Sequence, residues 1–350
     1  MFAKTKLGLK VLKNNIGLST PPYQLNFAIT FWCNSRCTFC KIWEMKPKNE
    51  LTLEEIDKFT KNASYIQWVR LTGGEPFVRP DYVDIVKAFY KNCPDIYLIS
   101  SPTNAILPDQ IYDKIVKVLE FFDRKYIITV SLDGDKEMHD RVRGIEGNFD
   151  SAMKLYLKLK ELKKKHKNFD VFFGHTIYPE NVGIFEKMVA NVKEFVPDIK
   201  VNDFHVNIFQ VSETYFHNEM IKTEDGYPAK AREEIEKVLQ ARQKHRFNPI
   251  NRIETKYLEL AKKYLQTGKT PIPCNILDTS CFMDSWGNIF PCIIYNKKLG
   301  NIREHDYNLK KIFDLEITKQ TKIETMNLQC PNCWTPCEAH DLILSNWLKV

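Results

Sequence analysis

Glycine and proline are scarce in this 350-residue chain, at 13 and 17 residues, which excludes collagen-like and low-complexity classes. No run approaches the roughly 18 apolar residues of a membrane span. The opening residues, MFAKTKLGLKVLKNNIGL, lack a long apolar stretch and a small-residue cleavage site. No secretory signal is read there, and a cytoplasmic protein is expected. What is present is 43% hydrophobic and 27% charged, enough for a sizeable core and too apolar for a disordered chain. Length sets a prior of about two domains, or one large domain with an appendage. The net charge of +7 permits a nucleic-acid or membrane partner without arguing for either. Much of the excess is lysine on helical stretches, such as Lys158, Lys160, Lys163, Lys164, Lys165 and Lys167, which reads as a solvated face. No nucleic-acid partner is expected.

Ten cysteines are many for a chain in a reducing compartment, where disulfides do not persist, so metal or redox chemistry becomes the leading explanation. Cys33, Cys37 and Cys40 form one group, and Cys274, Cys281, Cys292, Cys330, Cys333 and Cys337 a second. Cys93 stands alone and reads as a small hydrophobe. Soft thiolates select zinc or iron–sulfur. A closed zinc site wants a fourth ligand nearby, and neither His nor Cys follows the first group closely. Three thiolates suit a 4Fe–4S cluster with one iron open, while zinc completed from a distance stays the alternative.

The CxxxCxxC spacing, with Phe39 before its last Cys and a first strand Tyr23 to Thr30 ahead of it, resembles the signature of the radical S-adenosylmethionine (SAM) enzymes. Three further stretches carry the resemblance in order: Leu71-Thr-Gly-Gly-Glu-Pro76, Thr103-Asn104, and Ser131-Leu-Asp-Gly134 followed by His139-Asp-Arg-Val-Arg-Gly144. The resemblance implies that Cys33, Cys37 and Cys40 hold the SAM-binding 4Fe–4S cluster. It implies that Gly73, Gly74 and Glu75 bind the methionine amino group and Arg143 its carboxylate. Asn104 and Ser131 are expected to make ribose or carboxylate hydrogen bonds, and Phe39 to offer a face to adenine. Each residue type suits its role. Glycines admit close backbone approach, a carboxylate takes charge-assisted bonds from an ammonium, and a guanidinium forks onto a carboxylate.

Apolar runs at Tyr23–Thr30, Trp68–Thr72, Ile96–Ser100, Tyr126–Leu132, Val171–Ile177 and Phe204–Gln210 alternate with helical stretches at Leu53–Ser64, Pro80–Asn92, Pro108–Leu119, Phe149–Lys165 and Val182–Phe195. Strands separated by helices imply right-handed βαβ units and a parallel sheet. The fold expected is α/β, a (β/α)6 partial barrel of the radical SAM kind, with function at the C-terminal strand ends. The expected domains are an N-terminal extension over 1–22, the barrel over 23–225, bridging helices over 226–265, with a helix at Glu224–His245, and a small iron–sulfur domain over 266–350. Cys281 to Cys292 reads as a hairpin turning at Ser285 to Asn288. With Cys330-Pro-Asn-Cys-Trp-Thr-Pro-Cys337, this region resembles the SPASM or shorter twitch extension, which holds auxiliary 4Fe–4S clusters. Its six Cys fall short of the seven of a full SPASM pattern. One auxiliary cluster is favoured, with Cys292 and two of Cys330, Cys333 and Cys337 as ligands and Cys274 or Cys281 as the fourth. A zinc knot on the same Cys is the bland alternative. Trp334 reads as packing beneath the site.

The implied activity is reductive cleavage of SAM to a 5′-deoxyadenosyl radical that takes a hydrogen atom from substrate, fed by a reductant such as ferredoxin or flavodoxin. Peptide or protein side-chain modification is the leading reading. A small-molecule, sugar or lipid substrate is the second, and a non-catalytic electron carrier the third. Asp203, His205, Asn207, Glu213 and Tyr215 are the expected substrate contacts, around a Ser212–Asn218 loop over the mouth. The segment Lys4 to Leu18 sets Leu7, Val11 and Leu18 near one helical face beside Lys6, Lys10 and Lys13. Packing under the barrel is the expectation and contact with an anionic membrane the alternative.

Overall fold

The computed structural model describes residues 2–242 and 248–349. Its strands are β1 (Gln24–Thr30), β2 (Trp68–Gly73), β3 (Leu98–Thr103), β4 (Lys125–Ser131), β5 (Phe169–Ile177), β6 (Phe204–Ile208), β7 (Ser280–Met283), β8 (Asn288–Phe290) and β9 (Gly300–Asn301). The α-helices are α1 (Phe2–Asn15), α2 (Leu53–Asn62), α3 (Tyr82–Asn92), α4 (Pro108–Leu119), α5 (Lys136–Arg143), α6 (Asn148–Lys165), α7 (Phe185–Phe195), α8 (Tyr227–Ala241), α9 (Pro249–Thr267), α10 (Leu309–Phe313), α11 (Glu316–Met326) and α12 (Pro336–Ser345).

Strands β1 to β6 are parallel neighbours in sequence order, the arrangement that helical crossovers enforce. Every residue of β1 is buried, as expected for a parallel strand covered on both faces. This is the expected partial barrel. Two features differ near the mouth. Strand β3 runs past Ser100 to Thr103, which carries Asn104 to the mouth. Helix α5 covers Lys136–Arg143, overlapping the stretch His139–Gly144, where no helix is expected from the sequence. Asp135 caps its start by accepting from Met138 N, and Gly144 ends it with φ +64°. The helix expected over Glu224–His245 is α8, and residues 243–245 lie outside the described residues.

The C-terminal residues continue the sheet rather than stand beside it. Strand β7 pairs parallel to β1, and β8 and β9 follow antiparallel. The expected hairpin is there, turning between Met283 and Asn288. Helix α9 packs on β6 and α12 on α9. At the other end of the strand series, Gln24 Nε2 of β1 donates to Cys337 O at 3.0 Å and Arg70 Nη1 of β2 to Pro336 O at 3.1 Å. The start of α12 therefore spans the gap between β1 and β6.

Candidate functional site

The loop that leaves β1 is laid against the end of α5. Arg36 N donates to Arg143 O at 3.0 Å and Thr38 N to Val142 O at 2.9 Å, while Ser35 Oγ donates to Arg143 O at 3.0 Å. A Cβ at Gly144 would stand 2.6 Å from Arg36 O, so this closeness needs a glycine. The loop gathers three thiols. Burial pushes the Cys33 thiol up to about 12, with Cys37 adding to the effect. Burial also raises Cys40, which feels both Cys37 and Cys33. Buried thiols that disfavour one another's anions are a donor set that a cationic metal centre would satisfy.

Arg143 supplies the nearby cation. Burial works against its charge, but Asp133 and Cys37 more than offset that and hold it protonated. Its Nη2 stands 2.5 Å from Asp133 Oδ2 and its Nη1 donates to Cys37 Sγ at 3.7 Å. Its Nε is buried without a partner, a donor left over for a ligand carboxylate. Phe39 lies beneath this guanidinium at 5.6 Å and against Tyr178 at 5.4 Å. Asn104 Nδ2 donates to Asn34 Oδ1 at 2.8 Å and reaches Cys33 Sγ at 3.9 Å. Ser131, half-buried, ends β4 on the same side.

Gly73, Gly74 and Glu75 are tied into the fold at the end of β2. Gly73 and Gly74 make room first for protein: an added Cβ would stand 2.0 Å from Thr30 O and 2.2 Å from Trp32 O. Gly73 also holds φ +126°, which disfavours a side chain. Glu75 is a brace. Its oxygens accept from Phe77 N at 3.2 Å, Thr103 Oγ1 at 3.0 Å and Asn104 N at 2.6 Å. Burial pushes its pKa up to about 7 against those bonds.

The sequence motifs also contained residues to which no role was given. Asp133 grips Arg143, and its other oxygen accepts from Thr176 N at 2.9 Å. His139 Nδ1 accepts from Asp133 N at 3.0 Å, and its Nε2 meets Asn148 Oδ1 at 3.2 Å. Asn148 Nδ2 donates to Asn104 O at 2.9 Å. Burial pushes His139 down to about 3, so it is a neutral spacer.

The expected substrate contacts scatter. Asp203 precedes β6 and accepts from Lys200 N at 2.9 Å, at the strand end opposite the mouth. His205, one residue into β6, stacks on Phe172 at 4.2 Å and lies 3.8 Å from buried Glu254, which His340 approaches to 3.1 Å. Both are corrected by strand direction, because residues early in β6 cannot reach its C-terminal end. Tyr215 is buried and fully used: its OH bonds Thr72 Oγ1 at 2.5 Å and donates to Gly73 O at 3.2 Å. It pins the glycine strand end. Glu213 is exposed on the loop, and Asn207 is half-buried further along β6 toward the mouth. The Ser212–Asn218 loop is a strap, since Asn218 Nδ2 donates to Phe39 O at 3.0 Å and Ser212 Oγ to Ile293 O at 2.5 Å.

Four of the six C-terminal cysteines come together. Cys333 shares a hydrogen bond with Cys292 and its pKa is raised well above the ordinary thiol value by that bond and by burial. Cys274, raised by burial, feels Cys292 and Cys330, and Cys330 feels Cys292. The other two stand apart. Cys281 lies on β7 with no exposure and acts on Tyr65, as Cys93 does, so it belongs to the core. Cys337 opens α12 beside Arg70, its pKa pushed up to about 11 by burial while Arg70 opposes. Cys281 and Cys337 are thus corrected as ligand candidates, because neither joins the four. Trp334 is buried and stacks on Tyr257 at 5.9 Å. Among the described residues no three His, Cys, Asp or Glu side chains are disposed around a single metal ion. A cluster makes a different demand, one thiolate for each iron.

Residues 27–192 match the profile of the Radical SAM superfamily. Among curated proteins, a probable GTP 3′,8-cyclase of Thermococcus kodakarensis is 36% identical over 132 residues, 36% of this chain and 40% of that one. A GTP 3′,8-cyclase of Yersinia pestis is 30% identical over 147 residues, 37% and 43% of the two chains. The chain therefore spans less than half the length of these relatives. Among solved structures, SuiB of Streptococcus suis bound to S-adenosylmethionine superposes with TM-score 0.60 at 19% identity, covering 91% of this chain and 72% of that one. A structure of anSMEcpe with bound AdoMet and Cp18Cys peptide gives 0.61 at 18% identity, covering 87% and 84%. At such identities the likeness is one of fold.

Proposed function

The chain belongs to the radical SAM superfamily, and on that premise we propose that it is an enzyme that cleaves SAM reductively to oxidise or cross-link a peptide or protein side chain. The observation that carries the reading is the buried, partnerless Nε of Arg143, set beside three gathered thiols. Cys33, Cys37 and Cys40 would hold the cluster, and Arg143, Asn104 and Phe39 the carboxylate, polar and adenine portions of SAM. When bound, cluster and SAM supply a carbon radical able to take hydrogen from an unactivated position. The chain's own work is to bind, orient and exclude. Asp133 fixes the guanidinium, Glu75 ties the β2 end to the β3 end, and Tyr215 and Asn218 strap the loop.

Cys274, Cys292, Cys330 and Cys333 would hold one auxiliary 4Fe–4S cluster. Four thiolates for four irons leave no position for a substrate atom. Such a cluster would supply an electron acceptor, and recognition would fall to the protein's own residues. Peptide-bound structures of the same fold support a peptide substrate: SuiB bound to precursor peptide SuiA, and anSMEcpe with a peptide. The second reading, carbon–carbon bond formation on a small molecule, is favoured by the GTP 3′,8-cyclase relatives of the barrel region.

The test is anaerobic iron and sulfide counting on reconstituted protein, beside deoxyadenosine release after dithionite. About eight irons are expected, with about four left in Cys33/Cys37/Cys40→Ala and no deoxyadenosine from that variant. Zinc in place of iron, with no deoxyadenosine from the wild type, overturns the reading.

A further inference from the structure

Helix α1 has two apolar faces, and the fold uses one. Leu7 and Val11 are half-buried. Asn15 fastens the helix to the chain's other end, donating from Nδ2 to Leu344 O at 2.7 Å and accepting from Leu348 N at 3.0 Å. Leu9, Leu12 and Ile16 point the other way, exposed at 54%, 52% and 61%. Their i, i+3, i+7 spacing makes one stripe. Leu18 and Leu348 extend it, at 53% and 69%. Beside the stripe, α1, α9 and α12 enclose a groove of about 360 Å³ lined by Val11, Leu12, Pro249, Ile253, Leu344 and Trp347. Single exposed leucines need no explanation, but a contiguous stripe that runs into an apolar groove marks an interaction surface.

Charge identifies what covers it. Residues 1–43 contain five lysines and one arginine, and no Asp or Glu. Lys6 and Lys10 are engaged, by Asp95 at 2.7 Å and Tyr65 O at 2.9 Å. Lys4 and Lys13 are exposed on α1, and Lys349 lies next to Leu348. Arg252 lies 4.7 Å over the Trp347 ring at the groove. Aliphatic side chains along a helix, a tryptophan at the margin and cations around both are the elements of an interfacial helix. Each cation near an anionic leaflet adds attraction.

We propose that this face docks on an anionic phospholipid bilayer. The geometry also says what the contact does. Tyr65 and Asp95, which hold α1, precede β2 and β3, so the helix lies at the strand ends opposite the mouth. The bilayer would tether the protein while the mouth faces away, and substrate would not enter from the lipid. The proposal does not depend on the radical chemistry.

The test sediments the full chain with vesicles of phosphatidylcholine, alone or with a third of phosphatidylglycerol. Wild type is expected to pellet with the anionic vesicles and to stay largely soluble with the neutral ones. Leu9→Ser/Ile16→Ser, at exposed positions, is expected to lower binding roughly tenfold. Lys4→Glu/Lys13→Glu is expected to lower it as well and to leave the circular dichroism of the chain unchanged. Wild type that stays in the supernatant with both vesicles overturns the proposal, as does binding that neither variant weakens. Equal binding to both vesicles overturns the assignment to an anionic surface. A wild-type dimer that Leu9→Ser/Ile16→Ser dissociates, with no vesicle binding, gives the face to a second copy of the chain.

Discussion

Three thiols at the barrel mouth and four in the C-terminal residues are built from the same side chain, yet their surroundings are opposite in sign. Arg143 stands by the first set, 3.7 Å from Cys37 Sγ. Glu338 stands by the second, where it raises Cys274 and Cys333 and accepts from Ile293 N at 3.2 Å. A cation beside three thiolates favours an anionic ligand at the position the protein leaves open. An anion beside four thiolates repels such a ligand and favours the more positive, oxidised state of a cluster. One set reads as a place for binding, the other as a place for electrons.

The strongest way to break this comparison is to remove one thiol from each. Cys37→Ala is expected to abolish deoxyadenosine release and to remove about four irons, while Cys292→Ala removes about four irons and keeps SAM cleavage. Cys281→Ala, at a core position of β7, is expected to keep all the iron. Iron counting and product chromatography on the three proteins decide the matter. Iron loss in the Cys281 variant equal to that in Cys292→Ala would mean the second set is drawn from the wrong residues.

The next effect sharpens the claim that the mouth is an anion site. Asp133→Asn leaves the ligand set intact and frees the Arg143 guanidinium from its anchor. Weakening one partner of a buried pair is costly for the other. SAM affinity measured by calorimetry is expected to fall by roughly tenfold or more, with iron content unchanged. Unchanged affinity would show that Asp133 has no part in positioning.

How much of this was legible in the sequence differs between the two sets for a physical reason. The first lies on one loop, so the spacing of Cys33, Cys37 and Cys40 carries the site directly. The parallel barrel was legible too, because its strands are apolar runs set off by helices. The second set is assembled from Cys274, Cys292 and the pair Cys330 and Cys333, separated by a hairpin and two helices. No spacing rule separates Cys281, the second residue of the core strand β7, from the four that lie near one another. Polar residues near β6 misled for a similar reason. Alternation gives the face on which Asp203, His205 and Asn207 lie, but the distance along the strand decides which reaches the mouth. Asp133 and His139 lie inside the stretches Ser131–Gly134 and His139–Gly144, yet their role as props for Arg143 needed the fold of α5.

A smaller effect tests the charge of the second set. Glu338 is buried and its pKa is raised by that burial. Glu338→Gln removes a negative charge beside the four thiols and is expected to raise the auxiliary cluster's reduction potential, followed by redox titration with electron paramagnetic resonance. A potential that falls or stays unchanged would show that the Glu338 charge does not favour the oxidised state of a cluster held there.

The smallest effect concerns how the barrel holds its C-terminal continuation. Glu55, in the first turn of α2, accepts from Arg303 Nε at 2.6 Å and from Tyr307 OH at 3.1 Å. The Arg303 hydrogen bond, with those from Thr52 and Tyr307, outweighs burial and brings its carboxyl down from 4.5 to about 2. The folded-state pKa is depressed, so the stabilisation is complete above the unfolded value of 4.5 and disappears as pH falls toward 2. Glu55 is half-buried but its partner Arg303 is exposed, and a pair open to solvent on one side is worth only ~0.5 kcal/mol after screening. Glu55→Gln should therefore lower the unfolding free energy by about that amount at neutral pH. The difference from wild type should shrink as the medium is acidified below 4.5. A difference that grows on acidification would show that the link between α2 and the C-terminal residues is not carried by this ion pair.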